Sequence, residues 1–156
     1  MIASIRVRTA VAEDAELLAP RLRSADRDEI LAVLGKVDSV AWLRQGIALS
    51  APCFSVTDQA GLLLALFGAN PGEHGDGKVW LLGAPELLRH RFAIGRVSKQ
   101  WVGILHAHYR ILWNYVDERN EAHLRWLKWC GFEFTDRIEE FGIEGRPFYR
   151  FEKRLA

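Results

Sequence analysis

No stretch of the chain constrains its fold as tightly as the one from Leu112 to Phe132. Ile111, Leu112, Trp113, Tyr115 and Val116 are apolar with high β propensity, interrupted by Asn114, and predict a strand. Asp117, Glu118, Arg119 and Asn120 form a polar break. Asn120 suits the N-cap of a helix, and Glu121 puts a negative charge in its first turn. Ala122, Trp126, Trp129 and Cys130 recur at helical spacing and predict one buried stripe. Gly131 suits a left-handed C-terminal position, and Phe132 can pack back on the last turn before a further strand.

The rest of the chain arranges itself around that unit. Ile5 and Val7 alternate with Arg6 and Arg8 as a half-buried strand. Leu17, Leu18 and Leu22 give a first helix its apolar side, which Pro20 should kink or end. Asp26 and Glu29 resemble a capping box opening a second helix that Gly35 stops. Asp38 or Ser39 can cap a third, carrying Val40, Trp42, Leu43 and Ile47. Residues 53–57 and 62–67 predict an antiparallel hairpin around the turn at Asp58 to Gly61. The Gly- and Pro-bearing segment 70–77 predicts a loop, and 79–82 a further buried strand. A long helix spans about 92–108, with Ile94, Val97, Trp101, Ile104 and Leu105 on one face. Gly142 to Gly145 turns the chain into a last strand at 147–151. Strands joined first by hairpins and later by helices predict an α/β (α+β) fold in one domain, residues 1–156. Its central mixed, twisted sheet has about six or seven strands flanked by helices.

Charge and composition exclude several classes. Basic and acidic residues number 21 and 20, a net charge of +1, so nucleic acid as a partner is possible but not indicated. No apolar run approaches a membrane span, and arginines interrupt the N-terminus before any signal-peptide core. Cys53 and Cys130 lie in apolar contexts and read as buried thiols, and without a Cys/His cluster no metal site is expected.

Asn120, followed by Gly131 and Phe132 eleven and twelve residues later, together with Arg6-Val7-Arg8-Thr9 and Glu13-Asp14, resembles the GNAT (Gcn5-related N-acetyltransferase) superfamily. That resemblance implies a GNAT-like fold and an acetyl-CoA loop before the long helix. There glycines would let backbone amides approach a pyrophosphate at the helix N-terminus. The equivalent stretch, Leu88 to Arg96, departs from the pattern: Phe92 stands where the first glycine belongs, filling space a pyrophosphate needs, and Gly95 is the only glycine nearby. Leu127 stands where many members carry a Tyr that protonates the leaving thiolate.

Trp113-Asn114-Tyr115-Val116 with Asn120, His123, Arg125, Leu127, Lys128 and Gly131 is similar to the internal virion protein A family of podophages. This second resemblance implies a virion-associated or phage-assembly protein with an acetyltransferase-like fold, and together with Phe92 and Leu127 it gives the expectation of no catalysis and no cofactor. It would be found in the virion or the host cytoplasm, with other phage structural proteins or further copies of itself as partners. The alternative is an acetyl-CoA-dependent N-acetyltransferase. In that case His123 and Tyr115 are the proton-transfer candidates, and Leu82, Arg89, Arg91, Phe92, Gly95, Asn114 and Asn120 are the candidate cofactor contacts. Asn114 would bond the cofactor arm or an unpaired backbone group, and Asn120 a ligand or its own helix. Arg89, His90, Arg91, Arg96 and Lys99 oppose the dipole of the long helix at its start, which suggests either an anionic partner or a solvated basic face.

Overall fold

Alternating and continuous apolar runs set the sheet. The computed structural model describes residues 4–155; residues 1–3, part of the N-terminal stretch read for a signal peptide, lie outside the described residues. Among the described residues there are seven strands: β1 (Ile5–Thr9), β2 (Cys53–Asp58), β3 (Leu63–Pro71), β4 (Asp76–Gly83), β5 (Ile111–Asp117), β6 (Glu133–Phe141) and β7 (Arg146–Arg154). Their order in the sheet is β1-β2-β3-β4-β5-β7-β6. All neighbours are antiparallel except β4 and β5. β3 is buried on both faces, which explains its unbroken apolar sequence. Leu63 and Leu66 pack toward one layer of helices, and Leu64 and Phe67 toward the other.

The helices are α1 (Asp14–Leu18), α2 (Ser24–Leu34), α3 (Ser39–Leu49), α4 (Arg91–His106) and α5 (Glu121–Trp129). α1 ends where Pro20 enters a 3-10 turn, Ala19–Arg21, as its fixed φ and missing N–H require. Asp38 caps α3 by accepting the Ala41 amide at 3.1 Å. α5 ends in a Schellman motif: Gly131 has φ +90°, its amide donates to Lys128, and the Phe132 amide donates to Leu127 at 3.0 Å. Leu18, Ile30, Leu43 and Leu82 form a core on one face of the sheet. Val102, Leu105, Leu112, Val116 and Leu127 form the other with Phe132 and Phe151.

Several expectations need correction. The predicted loop at 70–77 is shorter than expected: residues 72–75 form the turn, while 70–71 and 76–77 belong to β3 and β4, and Gly77 lies under the Tyr109 ring, where a Cβ would come within 2.7 Å of ring carbons. The glycine there marks a close approach, not a turn. The expected α5 stripe is displaced. Leu127 and Cys130 are buried, whereas Trp129 is 55% exposed and lies across α4, its indole N–H donating to Gly95 O at 2.6 Å. A six-residue 3-10 helix, Pro85–His90, precedes α4. Both cysteines are buried free thiols, and burial pushes each up to about 12.

The tip of the β6–β7 hairpin docks on the end of α2. Ile143 and Glu144 amides donate to Val33 O and Ala32 O at 3.2 and 3.0 Å, satisfying carbonyls that the helix end leaves free. Gly142 has φ +70°, and a Cβ there would sit 2.6 Å from Ala32 O and Val33 Cα. Gly142→Ala should therefore cost at least about 1–2 kcal/mol in chemical denaturation, from the left-handed backbone alone. A loss no larger than that of Gly145→Ala, where φ is +65° and space is open, would show that the docking contributes nothing.

Candidate functional site

β4 and β5 are parallel only from Asp76–Ile111 to Lys78–Trp113. Beyond that they part, β4 staying with β3 and β5 with β7. Parting strands strand their inner amides and carbonyls, and each buried group needs a new partner. Asn114 supplies the first: its Nδ2 donates to Val79 O at 2.8 Å across the gap, and its Oδ1 accepts the Tyr115 amide at 2.7 Å. Its polarity within an apolar strand is thereby accounted for.

Helix α2 supplies two more. Asp26 and Glu29, one turn apart, face the two diverging strand ends. The Gly83 amide at the end of β4 donates to Asp26 Oδ2 at 2.9 Å, and the Asp117 amide at the end of β5 donates to Glu29 Oε1 at 2.8 Å. Asp26 also accepts from Asn120 Nδ2 at 3.1 Å and from the Arg23 guanidinium at 3.3 Å. Arg23 donates in addition to Asn120 Oδ1 at 2.8 Å, and its own amide donates to Gly83 O at 2.8 Å. Asp26, Asp117 and Asn120 are each no more than 2% exposed. The pair read as a capping box is thus no cap, since α2 has no side-chain cap bond and both carboxylates serve distant backbone. Asn120 occupies the N-cap position of α5, and its carbonyl accepts the Leu124 amide, but its side chain is turned to Arg23 and Asp26 and does not cap.

Burial pushes the Glu29 carboxyl up to about 8, and the like charges of Asp26 and Asp117 add to this against the Asp117 amide bond. Burial pulls the His123 imidazole down to about 4, so it is neutral near pH 7. Its Nδ1 is buried without a partner. Both groups line a chamber of about 380 Å³ formed by α2, α3, β4, β5 and the β6–β7 hairpin. Leu82, Asn114 and Tyr115 line it too. The structure therefore gathers four of the sequence-predicted residues, Leu82, Asn114, Tyr115 and His123, with Asn120 joined to them through Asp26. Glu29 was missed because its spacing after Asp26 fits a local cap equally well.

The other predicted residues form a second group at the start of α4. Arg89, Arg91 and Phe92 are exposed there, and Gly95 is half-buried beneath the Trp129 indole. Phe92 is 69% exposed, with the Arg91 guanidinium 4.8 Å from its ring centre, so it does not fill the cleft. His90, at the N-cap of α4, has a buried Nδ1 without a partner. Leu127 is fully buried in the core and offers no proton donor. Among the described residues no cluster of His, Cys, Asp or Glu could hold a metal, and no helix is long and apolar enough to cross a membrane.

No protein-family model matches the sequence, and no curated protein does. Solved structures do share the fold. The spermidine N-acetyltransferase of Vibrio cholerae, solved with CoA and spermine, superposes with a TM-score of 0.71 at 16% identity, covering 97% of this chain and 95% of that one. A GNAT-superfamily phosphinothricin acetyltransferase of Sinorhizobium meliloti, solved with acetyl-CoA, gives 0.78 at 14% identity over 98% and 89%. The ribosomal-protein-S5-alanine acetyltransferase of Vibrio fischeri gives 0.72 at 14% over 99% and 94%. The GNAT-like fold expected from the sequence is present. The expectation of no cofactor is corrected: two of these structures of the same fold were solved with CoA or acetyl-CoA. All three are acetyltransferases, and the likeness to phage internal virion proteins finds no support among them.

Proposed function

We propose that this chain, which has the GNAT fold, is an acetyl-CoA-dependent N-acetyltransferase whose acceptor amine enters the chamber beside Glu29. The observation that carries this reading is a half-buried carboxyl at the rim of the gap between β4 and β5, bonded to the end of β5 and facing a chamber of small-molecule size.

The residues present fit acetyl-CoA at two places. At the start of α4, the 16-residue helix presents its positive end, flanked by Arg89 and Arg91. The outward turn of Phe92 leaves that end accessible. At the gap between β4 and β5, Asn114 and the freed edges offer amide partners to an extended arm. When bound, acetyl-CoA supplies an activated thioester whose acetyl group passes to the amine nitrogen as the thiol departs.

Glu29 takes the proton from the acceptor ammonium, leaving the amine lone pair free to attack. A carboxyl near 8 is a stronger base than an ordinary one and is partly ionised at neutral pH. His123, neutral and lowered by desolvation, is too weak a base for an ammonium. Tyr115, whose side chain lines the same chamber, is the donor candidate for the departing thiolate, since Leu127 has no proton to give.

Calorimetric titration with acetyl-CoA, followed by thiol release with added amines, tests this reading. Saturable binding and amine-dependent release are expected; absence of both overturns it. Arg89→Ala with Arg91→Ala should weaken acetyl-CoA about tenfold at low salt and less at high salt, as exposed charges do. An unchanged dissociation constant would remove these arginines from the site.

A further inference from the structure

The chamber's walls say which amine it takes. Trp42, Trp80, Tyr115, Phe141, Phe148 and Phe151 line it, together with aliphatic side chains of α2 and α3. Tyr115 and Phe141 rings lie 4.6 Å apart, as do Phe141 and Phe148 at 4.7 Å, so one side is a continuous aromatic surface. The indole N–H of Trp80 is already committed to Ser50 Oγ at 2.9 Å, which leaves its ring as the contact surface. Among the described lining residues Glu29 is the one carboxylate and Lys78 the one cation.

That inventory bears on substrate class. A polyamine carries two or more ammonium groups along its length, and each one desolvated needs its own carboxylate or carbonyl partner. Here a single carboxylate is available, the Asn70 side-chain carbonyl already accepts from Ser50 Oγ at 2.7 Å, Gln45 is exposed at the rim, and Lys78 repels any further cation. Flat apolar bodies, by contrast, gain offset-stacked and edge contacts with rings as well as area burial. We infer that the acceptor is a monoamine with an aromatic or comparably flat apolar body, an arylalkylamine in chemical class, its nitrogen toward Glu29 and its ring among the aromatic walls. This separates the chain from the polyamine chemistry named for the spermidine N-acetyltransferase that shares its fold. The inference rests on the acetyl-transfer reading above.

The test compares 2-phenylethylamine and tryptamine with spermidine and putrescine, using the full chain with saturating acetyl-CoA and reading thiol release. The aromatic amines should lead by roughly tenfold or more in kcat/KM, the scale on which an apolar pocket discriminates. Lys78→Glu, a change at an exposed position, should narrow that lead by adding a carboxylate at the rim. Spermidine equal to or better than phenylethylamine overturns the inference while leaving acetyl transfer intact. If acetyl-CoA fails to bind, the acetyl-transfer reading fails, and direct calorimetric titration of the chamber with the same amines still decides its preference. Saturable binding of phenylethylamine, at least about tenfold tighter than spermidine, supports the aromatic site; equal or weaker binding overturns it.

Discussion

If the chain acetylates amines as proposed, Glu29→Gln should abolish most of that activity while making the chain more stable at alkaline pH. Removing a positioned general base typically costs roughly 10²–10⁴-fold in rate. Gln keeps an acceptor oxygen for the Asp117 amide, so the strand end is still satisfied. The pH dependence has a definite sign. The Glu29 carboxyl moves from 4.5 to about 8 on folding. Between those values the folded chain holds a proton that the unfolded chain has lost, so wild-type stability falls as pH rises through the window and the loss is complete above 8. Gln carries no such dependence. Its advantage should therefore open near pH 5 and level off above 8, at no more than about 5 kcal/mol. His123 acts on the acid side with the opposite sign: lowered from 6.5 to about 4, it stabilises above 6.5, and that contribution is lost as pH falls toward 4. Wild-type kcat/KM should rise through an apparent value near 8, and thermal melts of the variant from pH 5 to 9 give the stability curve. A Gln variant that keeps wild-type turnover would remove Glu29 from the base role.

Asp26→Ala is expected to be the most destabilising single change at the site. Asp26 is 2% exposed and accepts from Gly83, Asn120 and Arg23. The Arg23 side chain is only 11% exposed, and its Nε already lacks a partner. Truncating the acid leaves a largely buried cation uncompensated and a strand-end amide unmade, for about 3–5 kcal/mol, or roughly 10 °C in Tm for a chain of this size. Asp26→Asn should recover part of this by offering an oxygen to the Gly83 amide. Urea denaturation with unchanged m-value measures the difference. A loss under about 1 kcal/mol would mean that Arg23 and Gly83 find water when Asp26 is gone.

The helices and strands were legible wherever one physical cause dominated. Pro20 ended α1, Asp38 capped α3, and Gly131 with Phe132 closed α5 as their backbone chemistry requires. The site was less legible. Glu29 meets Asp117 across 88 positions of sequence, and no local pattern distinguishes that contact from a cap. Asn120 misled in the same way, as a good cap residue drawn off by Arg23 and Asp26. Phe92 stands at a motif position where its ring would plug the cleft, but its side chain is exposed to solvent and stacks near the Arg91 guanidinium. Trp129 shows the limit of periodicity, which identifies a face but not what covers it.

The short pairing of β4 with β5 gives the sheet two antiparallel plates, β1 to β4 and β5 to β7, held by a seam of three residue pairs. α2 reaches both plates through its two carboxylates, and the β6–β7 tip fastens its far end. Strand-end amides usually exchange with solvent by fraying, each on its own. Here the amides of Gly83 and Asp117 depend on one helix, so they should exchange slowly and at a common rate set by lifting that helix as a unit.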